Sequence, residues 1–145
     1  MHPGMADKLL VVVGAGGIFP ASGVVAAKAA ALAVGKTSLA PTAAFVKGVG
    51  ANWLVAIAIV RAQAAHTAPG KIAALWMPIT TFVALGLEHS VANMFLIPLG
   101  MLCGAEISAG EFWLNNMVPV VAGNAVGAAV FCACFQRCGF PMISH

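Results

Sequence analysis

Glu88, His89, Ser90 and Asn93 sit together in "LGLEHSVANMFLIPLG", Leu85 to Gly100, and are the residues whose types and spacing most invite chemistry. A carboxylate beside an imidazole joins a strong acceptor to the side chain whose ordinary pKa, about 6.5, lies nearest physiological pH. Such a pair can hold, give or share a proton with a weakly acidic anion. The plainer readings are a carboxylate that ties neighbouring helices together and a hydrogen-bonded core histidine. Ser90 and Asn93 both donate and accept, and are expected mainly to satisfy unwound backbone. An enzyme using Glu88 and His89 as acid and base would need a nucleophile or a metal set, and the sequence supplies neither. Cys103, Cys132, Cys134 and Cys138 include a C-x-C-x3-C spacing rather than paired CxxC knuckles, so they read as small apolar helix residues. No metal or cofactor is expected.

The setting of these residues is extremely apolar. Hydrophobic residues make up 61% of 145 positions and charged residues 8%, with a mean hydropathy of +0.99; soluble domains carry roughly 45–50% and 25%. This is the composition of an integral membrane protein. A spanning helix takes about 20 residues, so residues 1–145 form a single membrane domain with no room for a sizeable soluble one. The net charge of +3 comes from scattered basic residues without a Lys/Arg run, which argues against nucleic acid and for topology markers.

The elements that must hold Glu88 and His89 follow from hydropathy. Residues 9–34 form an N-terminal span weakened by Gly14, Gly16, Gly17, Pro20 and Gly23 and carrying Lys28. Its start, "DKLLVVVGAGGIFPASG", resembles a signal peptide, but apolar character runs on to Gly35 and favours a membrane segment. A polar joint, Gly35 to Pro41, leads to a span at 42–60 that contains Lys47 and Asn52. Arg61 to Lys71 is a connection broken by Pro69-Gly70. Residues 72–103 are apolar for longer than one crossing requires, with the polar cluster at mid-depth. A broken helix resolves this, one half from Ile72 to Leu87 and the other from about Met94. Gly104 to Asn116 is then a connection and 117–135 the last span. The Arg61–Lys71 loop and Arg137 fall on one face, opposite Glu106, Glu111 and Lys36, which predicts a cytoplasmic C-terminus.

An ionisable group at the bilayer centre costs at least about 2.5–3.5 kcal/mol on insertion scales, so Glu88, His89, Lys47 and Asn52 all need partners or a watery path. Phe82 precedes His89 by about two helical turns and is placed to form a constriction above it. Trp53 and Trp76 read as packing or interface aromatics.

Three segments, "KGVGANWLV", "GLEHSVANMFLIPLG" and "MVPVVAGNAVGAAVF", together resemble the formate/nitrite transporter family in motif and order. The resemblance implies an aquaporin-like fold of six spans in two inverted three-helix repeats, helices two and five broken, assembled as pentamers with a pore in each subunit. It makes "EHSVANM" the break of the fifth helix, His89 the central pore histidine and Asn124 its partner from the last helix. It further implies a polar network of Lys36, Asn52 and Glu88, with Lys36 drawing anions into the outer vestibule, and constrictions at Phe82 and Val55 on either side of the histidine. The match covers the second half of the family pattern, without the first repeat and its threonine-bearing loop. The fold expected is therefore all-α integral membrane: an aquaporin-like half-repeat with a broken helix, three spans and a glycine-weakened N-terminal one. The function expected is transmembrane transport of small monovalent anions, formate, nitrite or related monocarboxylates, proton-linked through His89, by a homo-oligomer in a lipid bilayer. The rival is a non-conducting fragment or incomplete gene model, at most an oligomerisation partner.

Overall fold

The computed structural model describes residues 23–137, all of whose regular elements are helical. Helix α1 is Val24–Thr37, α2 is Pro41–Ala64, α3 is Ala68–Ala84 and α4 is Ser90–Leu102; a π-helical turn, Glu111–Met117, runs straight into α5, Val118–Arg137. Part of the expected first span, residues 9–22, and Cys138 lie outside the described residues.

Local sequence accounts for where these helices begin and end. Thr67 caps α3, its Oγ1 accepting the Gly70 N–H at 3.2 Å. Ser108 and Glu111 form a capping box ahead of the last helix: the Ser108 Oγ accepts the Glu111 N–H at 3.2 Å, and the Glu111 carboxylate accepts the Ser108 N–H at 2.8 Å. The α3 C-terminus closes with Gly86 at φ 60°, the Leu87 N–H bonding to the Phe82 carbonyl and the Gly86 N–H to that of Val83. This is a Schellman motif, and it needs a residue that tolerates the left-handed region.

Helix α2 (24 residues) and the helix from Glu111 to Phe135 (25 residues) are long and apolar enough to cross a bilayer. Helices α3 (17 residues) and α4 (13 residues) rise only roughly 26 Å and 20 Å at 1.5 Å per residue. They are two pieces of one interrupted crossing, separated at Leu85–His89.

Small and polar residues share the interior with a few large apolar ones, Ile97, Met117 and Val120. Ala26, Ala33, Ala44, Ala51 and Ala58 are buried with Asn93, Asn116 and Asn124, whereas Trp76 is 70% exposed and Ile72, Val91 and Leu114 also face outward. This reverses the order of a soluble core and suits helices that pack by close backbone approach with lipid outside. The closest approach is between α2 and α5. A Cβ on Gly123 would lie 2.2 Å from the Phe45 carbonyl oxygen, and one on Gly127 2.3 Å from that of Val49. Trp53 and Phe131 meet edge to face beyond this seam, with ring centroids 5.8 Å apart. Helix α4 packs on α1 in the same manner, since a Cβ on Gly100 would fall 2.2 Å from the Ala33 Cβ.

Three boundaries differ from the sequence reading. Helix α1 continues through Thr37, so Lys36 stands in its last turn rather than in a joint starting at Gly35. The second half-helix starts at Ser90 instead of about Met94. The last helix starts well before Met117 and includes Asn116. Polar residues taken as helix breakers find partners without unwinding the backbone: Asn93 and Asn116 across the bundle, and Thr37 at the Ala33 and Val34 carbonyls of its own helix.

Gly127→Val should force α2 and α5 apart and cost at least about 1–3 kcal/mol, seen as a lower melting temperature and loss of the monodisperse peak in detergent. Gly35→Ala, inside α1 where nothing lies within 4 Å of the new methyl, is the control and should lower neither.

Candidate functional site

Between the Schellman turn that ends α3 and the start of α4 the chain leaves helical geometry at Leu87–His89, and two groups of side chains hold it. The first surrounds the Glu88 carboxylate, which is 3% exposed. Its Oε1 accepts from Lys36 Nζ at 3.0 Å. Its Oε2 accepts from Asn93 Nδ2 at 2.6 Å and from Asn116 Nδ2 at 3.3 Å. The two asparagines are themselves joined, Asn93 Nδ2 donating to Asn116 Oδ1 at 2.8 Å, and Asn116 Nδ2 also donates to the Lys36 carbonyl at 2.9 Å.

The second group centres on Asn124 of α5. Its Oδ1 accepts the Ser90 N–H at 2.9 Å, capping α4 from another helix. Its Nδ2 donates to the carbonyls of Glu88 at 3.0 Å and Gly48 at 2.9 Å. Asn124 thus grips the chain immediately before and after His89, rather than the imidazole. Asn52 Nδ2 donates to the Asn124 carbonyl at 2.7 Å, so Asn52 joins Lys36 and Glu88 only through Asn124. The glycine seam makes this reach possible, because Gly48 and Gly123 bring the α2 and α5 backbones within a short side chain's length.

His89 occupies the N-cap position of α4 in extended conformation (φ −116°, ψ 121°) without using its side chain as the cap. Its half-buried ring faces Phe82, centroids 5.9 Å apart and planes 35° apart. The contact reaches across the break, from the end of α3 to the start of α4. Among the described residues the Val91 and Ala92 amides at the head of α4 have no acceptor, and they carry the positive end of the helix dipole. A histidine therefore occupies the N-cap of a half-helix, its ring beside an aromatic one, with an ion-paired carboxylate in the adjoining residue.

The remaining candidates lie apart. Val55 lines a groove of about 270 Å³ between α2 and α5, together with Asn52, Ala56, Ile59, Phe131 and Cys132. Ser90 takes part through its backbone amide, and Asn93 serves the carboxylate rather than unwound backbone. Lys47 is half-buried on α2 and enters no ion pair among the described residues. Asn116 is completely buried at the centre of the network, a place that sequence reasoning misses. The capping box Ser108-x-x-Glu111 is the available signal, since starting the helix there carries Asn116 inside the last span, where a polar residue needs a partner.

Comparison with known proteins gives this geometry a family. A family profile described as Formate/nitrite transporter matches residues 6–137. The chain belongs to the formate/nitrite transporter family. A probable formate transporter of Methanothermobacter thermautotrophicus is 49% identical over 105 residues, which are 71% of this chain and 38% of that protein. The formate channel FocA of Haemophilus influenzae is 36% identical over 113 residues, 65% of this chain and 39% of that one. Among solved structures, a pentameric formate channel with formate bound superposes with a TM-score of 0.74 at 28% identity over 80% of this chain and 52% of the channel. An FNT family ion channel does so at 0.77 and 30%, over 90% and 51%. The chain therefore spans about half the length of those channels, and less of the curated relatives. Its fold is the formate/nitrite transporter's aquaporin-like half-repeat, an all-helical membrane protein with one interrupted helix.

Removing the Glu88 charge while leaving Lys36 buried should be costly: Glu88→Gln is expected to lose about 3–5 kcal/mol, and whichever way its amide turns, its nitrogen would face a donor, either Lys36 or the pair Asn93 and Asn116. The double variant Lys36→Met/Glu88→Met, with no buried charge left, should melt higher than Glu88→Gln. A Glu88→Gln protein that melts like the wild type in detergent would show that the pair is not structural.

Proposed function

We propose that this chain forms the histidine-bearing half of a path for small monovalent anions, formate, nitrite or related monocarboxylates, with a proton handled at His89. The observation that carries the reading is the position of His89, at the junction of two half-helices, at the N-cap of α4 with its ring against Phe82. An unpaired anion in an apolar constriction faces a large desolvation penalty. Lys36, 12% exposed, supplies positive charge near the break, and its pairing with Glu88 tempers that charge so that an anion is attracted without being trapped. The α4 dipole adds partial positive charge at the histidine. A proton passed from the imidazolium to the anion leaves neutral imidazole and a neutral acid, which crosses the constriction beside Phe82 at far lower cost. Val55 in its groove is the corresponding constriction on the other side. Homo-pentameric assembly is supported by the likeness to a pentameric formate channel. The charge distribution supports a cytoplasmic C-terminus, with Arg61, Lys71 and Arg137 on that face and Glu106 and Glu111 opposite.

A second reading is a non-conducting assembly partner, supported by the likeness to a pentameric channel. Uptake of labelled formate into proteoliposomes across a pH series separates the two. The transport reading expects uptake that depends on pH. It also expects His89→Phe to stay folded while uptake drops about 100-fold and loses its pH dependence, the size usual for removing a positioned proton donor. Folded wild-type protein with no uptake at any pH would favour the assembly role. Labelling of single cysteines placed at His145 and Glu106 should occur from the cytoplasmic and the opposite side respectively, and the reverse pattern would invert the topology.

A further inference from the structure

The hydrogen bonds around Glu88 have a direction, and it is set by one backbone group. The Lys36 carbonyl can only accept, so the Asn116 atom 2.9 Å from it must be the amide nitrogen, which turns the Asn116 oxygen toward Asn93. One atom of Asn93 lies 2.8 Å from that oxygen and 2.6 Å from Glu88 Oε2, so it must be nitrogen, spending one hydrogen on each. Oε2 is then an acceptor from Asn93 and again from Asn116 at 3.3 Å, while Oε1 accepts from Lys36 at 3.0 Å. Neither carboxylate oxygen has an acceptor to which a proton of its own could point. The arrangement leaves the Asn93 Oδ1 buried without a donor, a cost of the same order as a lost hydrogen bond. Turning Asn93 over would set its oxygen against two other oxygens, which is worse.

We propose that Asn116 is a positioning residue that fixes the charge state of the Lys36–Glu88 pair: by relaying the polarity of the Lys36 carbonyl through Asn93, it holds Glu88 ionised within the membrane. Asn116 acts through Asn93 and Glu88 and does not itself meet the anion. The charged or titratable groups on the elements around Glu88 are Lys28 and Lys36 of α1, Lys47 and Arg61 of α2, Lys71 of α3, His89 at the break, and Glu111, Cys132, Cys134 and Arg137 of the last helix. Among the described residues Lys36 alone forms an ion pair with the carboxylate. With Asn116 replaced by an apolar residue, Asn93 is free to invert and offer its oxygen to a Glu88 proton, an acceptor that the wild-type arrangement withholds.

The test uses two variants of the full chain and two readouts. Infrared spectroscopy of purified protein should show no protonated-carboxyl band from Glu88 at neutral pH in the wild type. In Asn116→Leu a Glu88 band should persist to a pH about 1–2 units higher than in the wild type, and it should be absent in Asn116→Leu/Glu88→Gln. In Asn116→Asp the pattern survives only if the introduced carboxyl is protonated, its O–H donating to the Lys36 carbonyl while its other oxygen accepts from Asn93. That variant should therefore carry a protonated-carboxyl band at neutral pH and lose the pattern as pH rises. The flux arm rests on the anion-transport reading: the acid limb of formate uptake in Asn116→Leu should move up by about 1–2 pH units, whereas Asn116→Asp should lose uptake on the alkaline side. A chain that transports nothing leaves the infrared arm intact, so failure of the transport reading and failure of this one are distinguishable. Folded Asn116→Leu whose Glu88 band titrates as in the wild type, or folded Asn116→Asp with the introduced carboxyl ionised, would overturn the proposal. Loss of fold in both variants would assign Asn116 to packing alone and overturn it equally.

Discussion

A carboxylate buried inside a membrane helix bundle must be matched by donors from other helices, and the satisfaction of Glu88 organises the structure around the break. Lys36 comes from the last turn of α1, Asn93 from the first turn of α4 and Asn116 from the wide turn ahead of α5. No two of these groups belong to the same element. Each therefore fixes the position of its own helix relative to the carboxylate, and the charge that is costliest to bury becomes the point to which three helices are referenced.

The break also needs its backbone satisfied in the absence of water, which Asn124 achieves from the opposite side. The asparagine side chain is short, so this requires α5 to lie almost in backbone contact with α2, which the glycines at Gly48, Gly123 and Gly127 allow. Packing of small residues and satisfaction of polar ones are thus a single design: a larger residue in the seam would move Asn124 away from the amide and carbonyl that flank His89. The imidazole is left free of hydrogen bonds among the described residues, held in place by its own backbone. Both ring nitrogens are therefore without a protein partner among the described residues.

The broken helix is legible in the sequence because length and polarity conflict there: too many apolar residues for one crossing, with Glu88 and His89 in the middle. The membrane setting is legible from composition, and the motif set points to the residues that gather at the break. What the sequence conceals is partnership through space. Asn93 reads as part of unwound chain because nothing local shows that Glu88 and Asn116 would satisfy it inside a helix. Asn116 reads as part of a loop, since hydropathy alone starts the last span at the apolar run after it and ignores the capping signal at Ser108. Asn124 is tied by resemblance to the imidazole, whereas its amide is the right size and polarity for the backbone on either side. In a chain so uniformly apolar, helix faces leave no periodic pattern, and the packing faces are marked only by glycine and alanine.

The π-helical turn at Glu111–Met117 has a consequence for how such sequences can lengthen or shorten. An extra residue accommodated within a helix puts the segments before and after it out of phase by about 100°, the angle of one residue. The turn therefore works as a rotational offset between Asn116, which faces Glu88, and Asn124, which faces the backbone of the break. A single-residue deletion in the Cys103–Ser108 loop would shorten a tether and could be absorbed there. The same deletion inside the wide turn would regularise the helix and swing its front end round, removing Asn116 from the carboxylate while Asn124 stayed in place. Length in this stretch is thus coupled to direction, and two chains of equal hydropathy that differ by one residue here would differ in which side chains meet at the centre.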